Sequence, residues 1–186
     1  MKKYIFFLFL NFSAWAQDTP NPHSIELRTN VLAMLSQGNY SVSLEKLSTH
    51  NWNYGISVAT TQSNTQENNF QNGNKRHLPE WDITPFVRYK LSKSAKSFYF
   101  AEGFGAINQG KYKELVRTTD ALGNGVYQIK KGTYSDVALG GSLGYKLLIK
   151  SSFAVEFLVG FGANLLHNEV SPTVVSRVGL SVGYQF

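Results

Sequence analysis

Apolar residues recur at every second position through most of this chain, and no other feature restricts its folding so severely. At the C-terminus Val174, Ser176, Val178, Leu180, Val182, Tyr184 and Phe186 share one face, while Val175, Arg177, Gly179, Ser181, Gly183 and Gln185 share the other. A period of two belongs to β-strands, whose side chains point alternately to opposite sides of the sheet. The same pattern runs through residues 134–147, with Val137, Leu139, Gly141, Leu143, Tyr145 and Leu147 opposite Asp136, Ala138, Gly140, Ser142, Gly144 and Lys146. Residues 153–161, 52–59, 81–91 and 40–46 repeat it. A first strand is predicted over 25–35, its alternation blurring at Leu32 and Met34 as a bulge or a rim would allow. With 98–108, the pattern occurs about eight times.

Connections between these segments alternate in length. Residues 47–51, 92–97 and 148–152 are short links, whereas 62–80, 109–132 and 162–173 are long and polar. A tight turn at 36–39 is the exception. One end of the array therefore carries short turns and both termini, and the other carries long loops, as in transmembrane barrels. The Asn- and Gln-rich segment 62–80 reads as a mobile, solvated loop. In 109–132, Asn124-Gly125 lies between apolar positions and could close a projecting hairpin over 111–132.

Alternation alone also suits a water-soluble sandwich, so the composition of the two faces decides. One face carries Trp52, Tyr54, Trp81, Tyr89, Tyr145, Phe153, Tyr184 and Phe186 near strand ends with aliphatics between, which fits aromatic girdles at two membrane interfaces. The other mixes isolated charges with Gly55, Gly140, Gly144, Gly160, Gly179 and Gly183. Small residues of this kind suit the crowded interior of a narrow barrel. The fold class that follows is all-β: an eight-stranded antiparallel up-and-down transmembrane β-barrel.

Arg28, Glu45, Arg88, Lys90, Glu102, Lys146, Glu156 and Arg177 would then share the interior. An unpaired ion there is costly, so Glu45, Arg88, Glu102, Lys146, Glu156 and Arg177 are expected to form a lattice of pairs, with Lys90 at the rim. Residues 98–108 could face either way. Turning Glu102 outward would set a carboxylate against lipid, so the inward register is the better one. It sends Phe98, Phe100 and Phe104 into the lumen, where Phe86, Phe100 and Phe104 are expected to act as a plug. It leaves Gly103 and Gly105 on the outside, a candidate contact for a partner protein or lipid.

The N-terminus has the order of a secretion signal: Lys2 and Lys3, the apolar run 4–10, then Ala14-Trp15-Ala16. The expected division is a cleaved signal over 1–16 and a single barrel domain over 17–186. The apolar run is well short of the ~20 residues that cross a bilayer as a helix. Zero cysteines exclude a disulfide scaffold, a thiolate metal site, a cysteine nucleophile and a lipid anchor on cysteine. Charged residues are 16% of the chain, below the ~25% usual in soluble domains, which disfavours a coiled coil or a charged disordered tail. The net charge of +6 includes Lys2 and Lys3, and the basic residues never form a long run, so no nucleic-acid partner is expected.

The ending Val178-Gly179-Leu180-Ser181-Val182-Gly183-Tyr184-Gln185-Phe186, with its terminal aromatic, resembles the C-terminal signal of Gram-negative outer-membrane proteins. Together with the strand count, the whole mature chain resembles the small barrels typified by the OmpA membrane domain and OmpX. That resemblance implies an integral outer-membrane location and insertion by the outer-membrane assembly machinery, which would read Tyr184 and Phe186. It also implies contact with outer-membrane lipid and lipopolysaccharide. The OmpA type continues into a peptidoglycan-binding domain, and no such segment follows Phe186 here, so cell-wall anchoring is not carried over.

Catalysis has little support. His167, Glu169 and Ser171 stand close together in a loop, but a hydrolase needs a serine, a histidine and a carboxylate that converge in space. Small lipid A deacylase barrels are similar in size, yet no His-X-Ser-Asn stretch is present. His23, His50 and His77 are scattered, so no metal site is expected, and no cofactor is implied. Gly103-Phe104-Gly105 lacks the following helix of a phosphate-binding loop. The expected function is a non-enzymatic structural or interaction role through exterior loops, with an envelope protein as a candidate partner. A narrow channel for small solutes and a lipid A-modifying enzyme are the alternatives.

Overall fold

A computed structural model describes residues 25–48, 51–92, 94, 96–119, 125–149, 152–166 and 170–186. The proposed signal over 1–16 lies outside them. Eight strands follow one another: β1 (Ile25–Asn30), β2 (Asn39–Lys46), β3 (Trp52–Thr61), β4 (His77–Lys90), β5 (Ser97–Thr119), β6 (Gly125–Ile149), β7 (Phe153–Asn164) and β8 (Val174–Gln185). Each pairs antiparallel with the next, and β8 returns to β1 to close the barrel. Closure matters because it satisfies backbone groups that hydrocarbon cannot. The final residue takes part: the Phe186 N–H donates to the Ile25 carbonyl and the Ile25 N–H to the Phe186 carbonyl, both at 3.0 Å.

The two faces sort as alternation requires. Val42, Tyr54, Val58, Leu139, Leu143, Phe157, Phe161 and Val182 are exposed on the outside, whereas Glu45, Arg88, Glu102, Lys146 and Glu156 are buried within. At the short-turn end, cross-strand aromatic pairs ring the outer wall. Trp52 lies against Tyr89 and Tyr99 against Tyr145, each with centroids 4.9 Å apart, and Phe153 lies 5.2 Å from Tyr184. This is the girdle of a transmembrane barrel, where an aromatic ring suits the boundary between headgroup and chain. The strand over 98–108 takes the inward register, with Phe98, Glu102 and Phe104 buried and Tyr99 and Ile107 exposed.

Glycine and phenylalanine alternate across the inner wall. Phe86 stands opposite Gly55, Phe100 opposite Gly144 and Phe104 opposite Gly140. A Cβ at Gly55 would lie 2.6 Å from Phe86 Cζ, and one at Gly144 would lie 2.7 Å from Phe100 Cε1. Real Cβ atoms never approach so closely, so each ring occupies the space its partner lacks. The glycines thus serve packing within a narrow lumen, not backbone flexibility.

Two parts of the chain depart from the sequence reading, and a third, read as a long loop, takes the form of the hairpin offered for it. The first strand does not run to residue 35: it stops at Asn30 and becomes a short helix, α1 (Val31–Gln37). The Asn30 side chain caps it by accepting from the Ala33 N–H at 3.1 Å, and Gly38 ends it at φ 62°. Glycine is favoured there because a left-handed residue closes the helix. The supposed tight turn at 36–39 is the end of this helix.

The loop over 62–80 also contains a helix, α2 (Asn64–Gln71), and β4 starts earlier than expected, at His77. Ser63 caps α2 by accepting from the Gln66 N–H at 3.3 Å. Phe70 is 2% exposed, and Lys113 Nζ sits 4.7 Å from its ring centre while donating to the Phe70 and Gln71 carbonyls. The segment is therefore fastened to the barrel wall, not free in solvent. Finally, 109–132 is mostly not a loop. β5 and β6 stay in register from Gln109↔Ser135 to Thr119↔Gly125, forming the projecting hairpin; its tip, 120–124, lies outside the described residues.

We expect Gly144→Val to drive Phe100 from its place and lower barrel stability by about 1–3 kcal/mol, the cost of overpacking. Phe100→Ala should relieve part of this in the double variant. Urea unfolding in lipid vesicles, followed by tryptophan fluorescence, measures both. A G144V barrel as stable as the parent would contradict the ring-against-glycine packing.

Candidate functional site

Seven of the eight strands contribute one or two charges to the cluster in the lumen, and β3 contributes the neutral Asn53. Arg88 and Glu102 stand opposite one another on β4 and β5, and Lys146 and Glu156 do so on β6 and β7. Glu26 and Glu45 are also directly opposite, a like-charge pair on β1 and β2 that would repel without cations between them. Arg28 and Lys146 supply those cations. Arg28 Nη1 reaches Glu26 at 2.9 Å and Glu45 at 2.6 Å, while Lys146 Nζ reaches each of them at 2.9 Å.

Arg88 is the hub. Its Nη1 and Nη2 form a fork onto Glu156 at 2.6 and 2.9 Å, its Nε donates to Glu102 at 2.6 Å, and Nη1 also reaches Glu45 at 2.8 Å. Its guanidinium carbon lies 4.6 Å from the Phe86 ring centre and 4.4 Å from that of Phe100. A planar cation between aromatic rings gains from their quadrupoles while its edge serves the carboxylates. Arg177 donates to Glu102 at 2.8 Å and lies 4.8 Å from the Phe104 ring centre.

The four carboxylates Glu26, Glu45, Glu102 and Glu156 are balanced by the four cations Arg28, Arg88, Lys146 and Arg177. All eight carboxylate oxygens accept at least one hydrogen bond. Neutral groups complete the set: Gln185 donates to Glu26 at 2.8 Å, Asn53 to Glu45 at 2.9 Å and Ser142 to Glu102 at 3.2 Å. Among the described residues no buried side-chain polar atom lacks a partner. Full satisfaction is what lets ions replace an apolar core, because each unpaired charge would carry a large desolvation cost.

All six residues proposed from sequence for the charge lattice (Glu45, Arg88, Glu102, Lys146, Glu156, Arg177) thus occupy one connected cluster, together with Arg28. Lys90 lies at its lower edge, donating to the Ser48 carbonyl at 3.2 Å. Phe86, Phe100 and Phe104 are buried in the lumen, and Gly103 and Gly105 lie on the outer wall, where Gly103 faces Gly141 across the strand pair. Tyr184 and Phe186 are on the outer wall at the short-turn end. Sequence reading left Glu26 out, although its place two residues before Arg28 puts both on one face. Asn53 was passed over because a neutral amide gives no charge signal.

Glu26, Glu45 and Glu156 place carboxylate oxygens within 4.8 Å of one another, the spacing a cation could use. Arg28 and Lys146 contact all three, with Lys146 3.3 Å from Glu156, so the donor set already serves protein cations and does not fit a metal. Ser171 donates its hydroxyl to Asp136 at 2.5 Å, and Asp136 also accepts the Leu166 N–H at 3.0 Å, an arrangement that ties the loop after β7 to the wall. His167 and Glu169 lie outside the described residues. His77 Nε2 donates to the Val170 carbonyl oxygen, 3.1 Å away, and the ring packs edge-on to Tyr134.

A closed eight-stranded antiparallel barrel, apolar without and ionic within, defines the class of small transmembrane barrels. The chain shares its fold with the N-terminal β-barrel domain of Pseudomonas aeruginosa OprF, with a TM-score of 0.54 and 11% identity over 88% of this chain and 96% of that one. Neisserial surface protein A aligns with a TM-score of 0.45 at 8% identity over 88% of this chain and 92% of that one. Ail, the attachment invasion locus protein of Yersinia pestis, gives 0.41 at 11% identity over 88% and 96%. No family model matches the chain, and no curated protein matches it by sequence.

Removing the hub should be severe. Arg88→Met takes one cation from each of Glu45, Glu102 and Glu156 and is expected to destabilise the barrel by about 3–5 kcal/mol. Arg88→Lys should also weaken it, since one ammonium cannot make the fork and the Nε contact together. Chemical unfolding in vesicles is the measurement; parental stability in R88M would show that the lattice contributes little.

Proposed function

We propose that this protein is an integral outer-membrane barrel with a structural or interaction role, and that its lumen is a closed ionic core with no catalytic centre. The observation that carries the reading is the pairing of the charged layer: four cations hold all four carboxylates across the lumen, with Phe86, Phe100 and Phe104 packed beside them. A channel would have to break several charge-assisted bonds to open, each worth roughly 1.5–3 kcal/mol. The outer wall supports burial in hydrocarbon, and the terminal Tyr184 and Phe186 support recognition by the outer-membrane assembly machinery.

Interaction is assigned to the end bearing the long connections. There the β5–β6 hairpin extends beyond its neighbours and exposes Leu115, Tyr127 and Ile129 at more than 60% each. An extramembrane hairpin with apolar side chains open to water is suited to a protein partner in the envelope or to lipopolysaccharide. The outer patch at Gly103 and Gly105 is a second place where a neighbouring barrel or lipid chain could approach closely.

In planar bilayers the purified protein should give no large steady conductance; a stable open pore would overturn the closed-core reading. Mass spectrometry of lipid A from cells with and without the protein should show identical acylation, and a change would favour the enzyme alternative.

A further inference from the structure

The barrel wall is incomplete in one place. β1 ends at Asn30, paired with Ser181, so β8 from 174 to 180 is paired with β7 on one edge but has no strand on the other. β2 is in the same position, since its pairing with β1 ends at Arg28↔Ser43 and leaves 39–42 without β1. α1 crosses this gap. It carries no charged residue, exposes Leu32 at 41% and Leu35 at 78%, and is tied to β8 where Asn30 Nδ2 donates to the Val178 carbonyl at 3.2 Å. A six-residue strand is short against the ~9–11 that span a bilayer.

A polar cavity of about 190 Å³ lies behind the gap, above the charged layer. Its lining includes inward residues such as Arg28, Asp82 and Arg177, and also Ser176 and Val178, which point outward from β8. Lining from both faces of β8 sets the cavity at that strand's unpaired edge, where α1 is the element that covers it. Its charged lining is Arg28, Arg88 and Arg177 against Asp82 and Glu156, an excess of one positive charge. Asp82 is partly occupied, accepting from Thr84 at 2.9 Å. Arg177 is 20% exposed; its Nη1 holds Glu102, and among the described residues its Nε and Nη2 have no hydrogen-bond partner. Two free guanidinium donors at the wall of a polar cavity suit a carboxylate or phosphate.

We propose that this cavity binds the anionic head group of a single-chain amphiphile, which enters sideways between β8 and α1. The head lies against Arg177, within reach of the polar lining that includes Asn30. The hydrocarbon chain remains outside, along Val178 and Leu180 of β8 and the apolar face of α1. A ligand with a charged head and an apolar tail is the kind that satisfies a polar cavity set beside an unpaired strand edge with an apolar outer face. The inference rests on the membrane-embedded reading; a chain that stays folded and monomeric without detergent would end that reading separately.

The test uses the full mature chain in dodecyl maltoside micelles, with amide spectra recorded during titration by laurate and, separately, by lysophosphatidate. Monolaurin supplies the same tail without charge, and butyrate supplies a carboxylate without the tail. Saturable shifts at Asn30, Ser176 and Gly179 are expected with at least one anionic amphiphile, and the tighter of the two identifies the head group as carboxylate or phosphate. Monolaurin and butyrate should bind at least about tenfold more weakly than that amphiphile. Arg177→Gln should weaken it by a similar factor. Ser176→Trp, which obstructs the gap from outside without touching the lattice, should do the same. Gel-shift on heating checks that both variants are folded. Equal binding of monolaurin would show that the charge is not read, and equal binding of butyrate would show entry from water. Either result overturns the proposal, as does undiminished binding in folded S176W.

Discussion

The pairing of four buried carboxylates with four cations inside the lumen is the interaction on which the rest of this structure depends. A membrane barrel gains nothing from hiding aliphatic side chains inside, because its outer face already rests in hydrocarbon. What the interior needs is cohesion between strands remote in sequence. Arg28 and Glu156 meet across 128 residues of chain, and Lys146 and Glu26 across 120. Each bond draws one side of the wall toward another. The ionic lattice does the work that an apolar core does in a soluble domain, but it tolerates far less incompleteness.

That intolerance explains the neutral residues around it. Gln185, Asn53 and Ser142 each donate to a carboxylate oxygen, and Glu45 Oε1 and Glu26 Oε2 have these amides where no cation reaches. The aromatic rings complete the same design from the apolar side. Phe86 and Phe100 flank the guanidinium of Arg88 and restrict where it can swing, while Gly55 and Gly144 opposite them keep the lumen wide enough for both. Charge, ring and missing side chain are therefore one arrangement. Altering any one of them changes the space available to the others.

Most of this was legible in the sequence because the membrane imposes a simple rule. Alternation assigned the faces, and the cost of a carboxylate against lipid settled the direction of Glu102, which carries Phe98, Phe100 and Phe104 with it. The helices were harder to see because their apolar content is weak and they interrupt a strand pattern. Their boundaries were nonetheless written in capping residues: Asn30 before and Gly38 after α1, and Ser63 three residues before Gln66 in α2. Val31 to Leu35 reads as a blurred strand only if those caps are ignored. Period two alone is enough to place Glu26 on the face of Arg28, a signal the set of interior charges did not use, whereas the contacts of Asp136 depend on a long-range meeting with Ser171 that no local pattern contains.

The short β1 shows how a local stop can alter the whole wall. In a closed barrel the length of each strand is shared with two neighbours, so ending β1 at Asn30 removes pairing from β2 and β8 together. The backbone groups thus released cannot face hydrocarbon without compensation. Asn30 supplies part of it twice over, capping α1 with its side-chain oxygen and holding the Val178 carbonyl with its side-chain nitrogen. A second contact, from Thr29 Oγ1 to the Ser41 carbonyl at 2.8 Å, serves the β2 side. The side-chain bonds of Thr29 and Asn30 therefore stand in for the missing strand ladder. Such a substitution leaves this seam easier to part than a fully paired one, and it places the seam beside Arg177, a cation with one of its three nitrogens engaged.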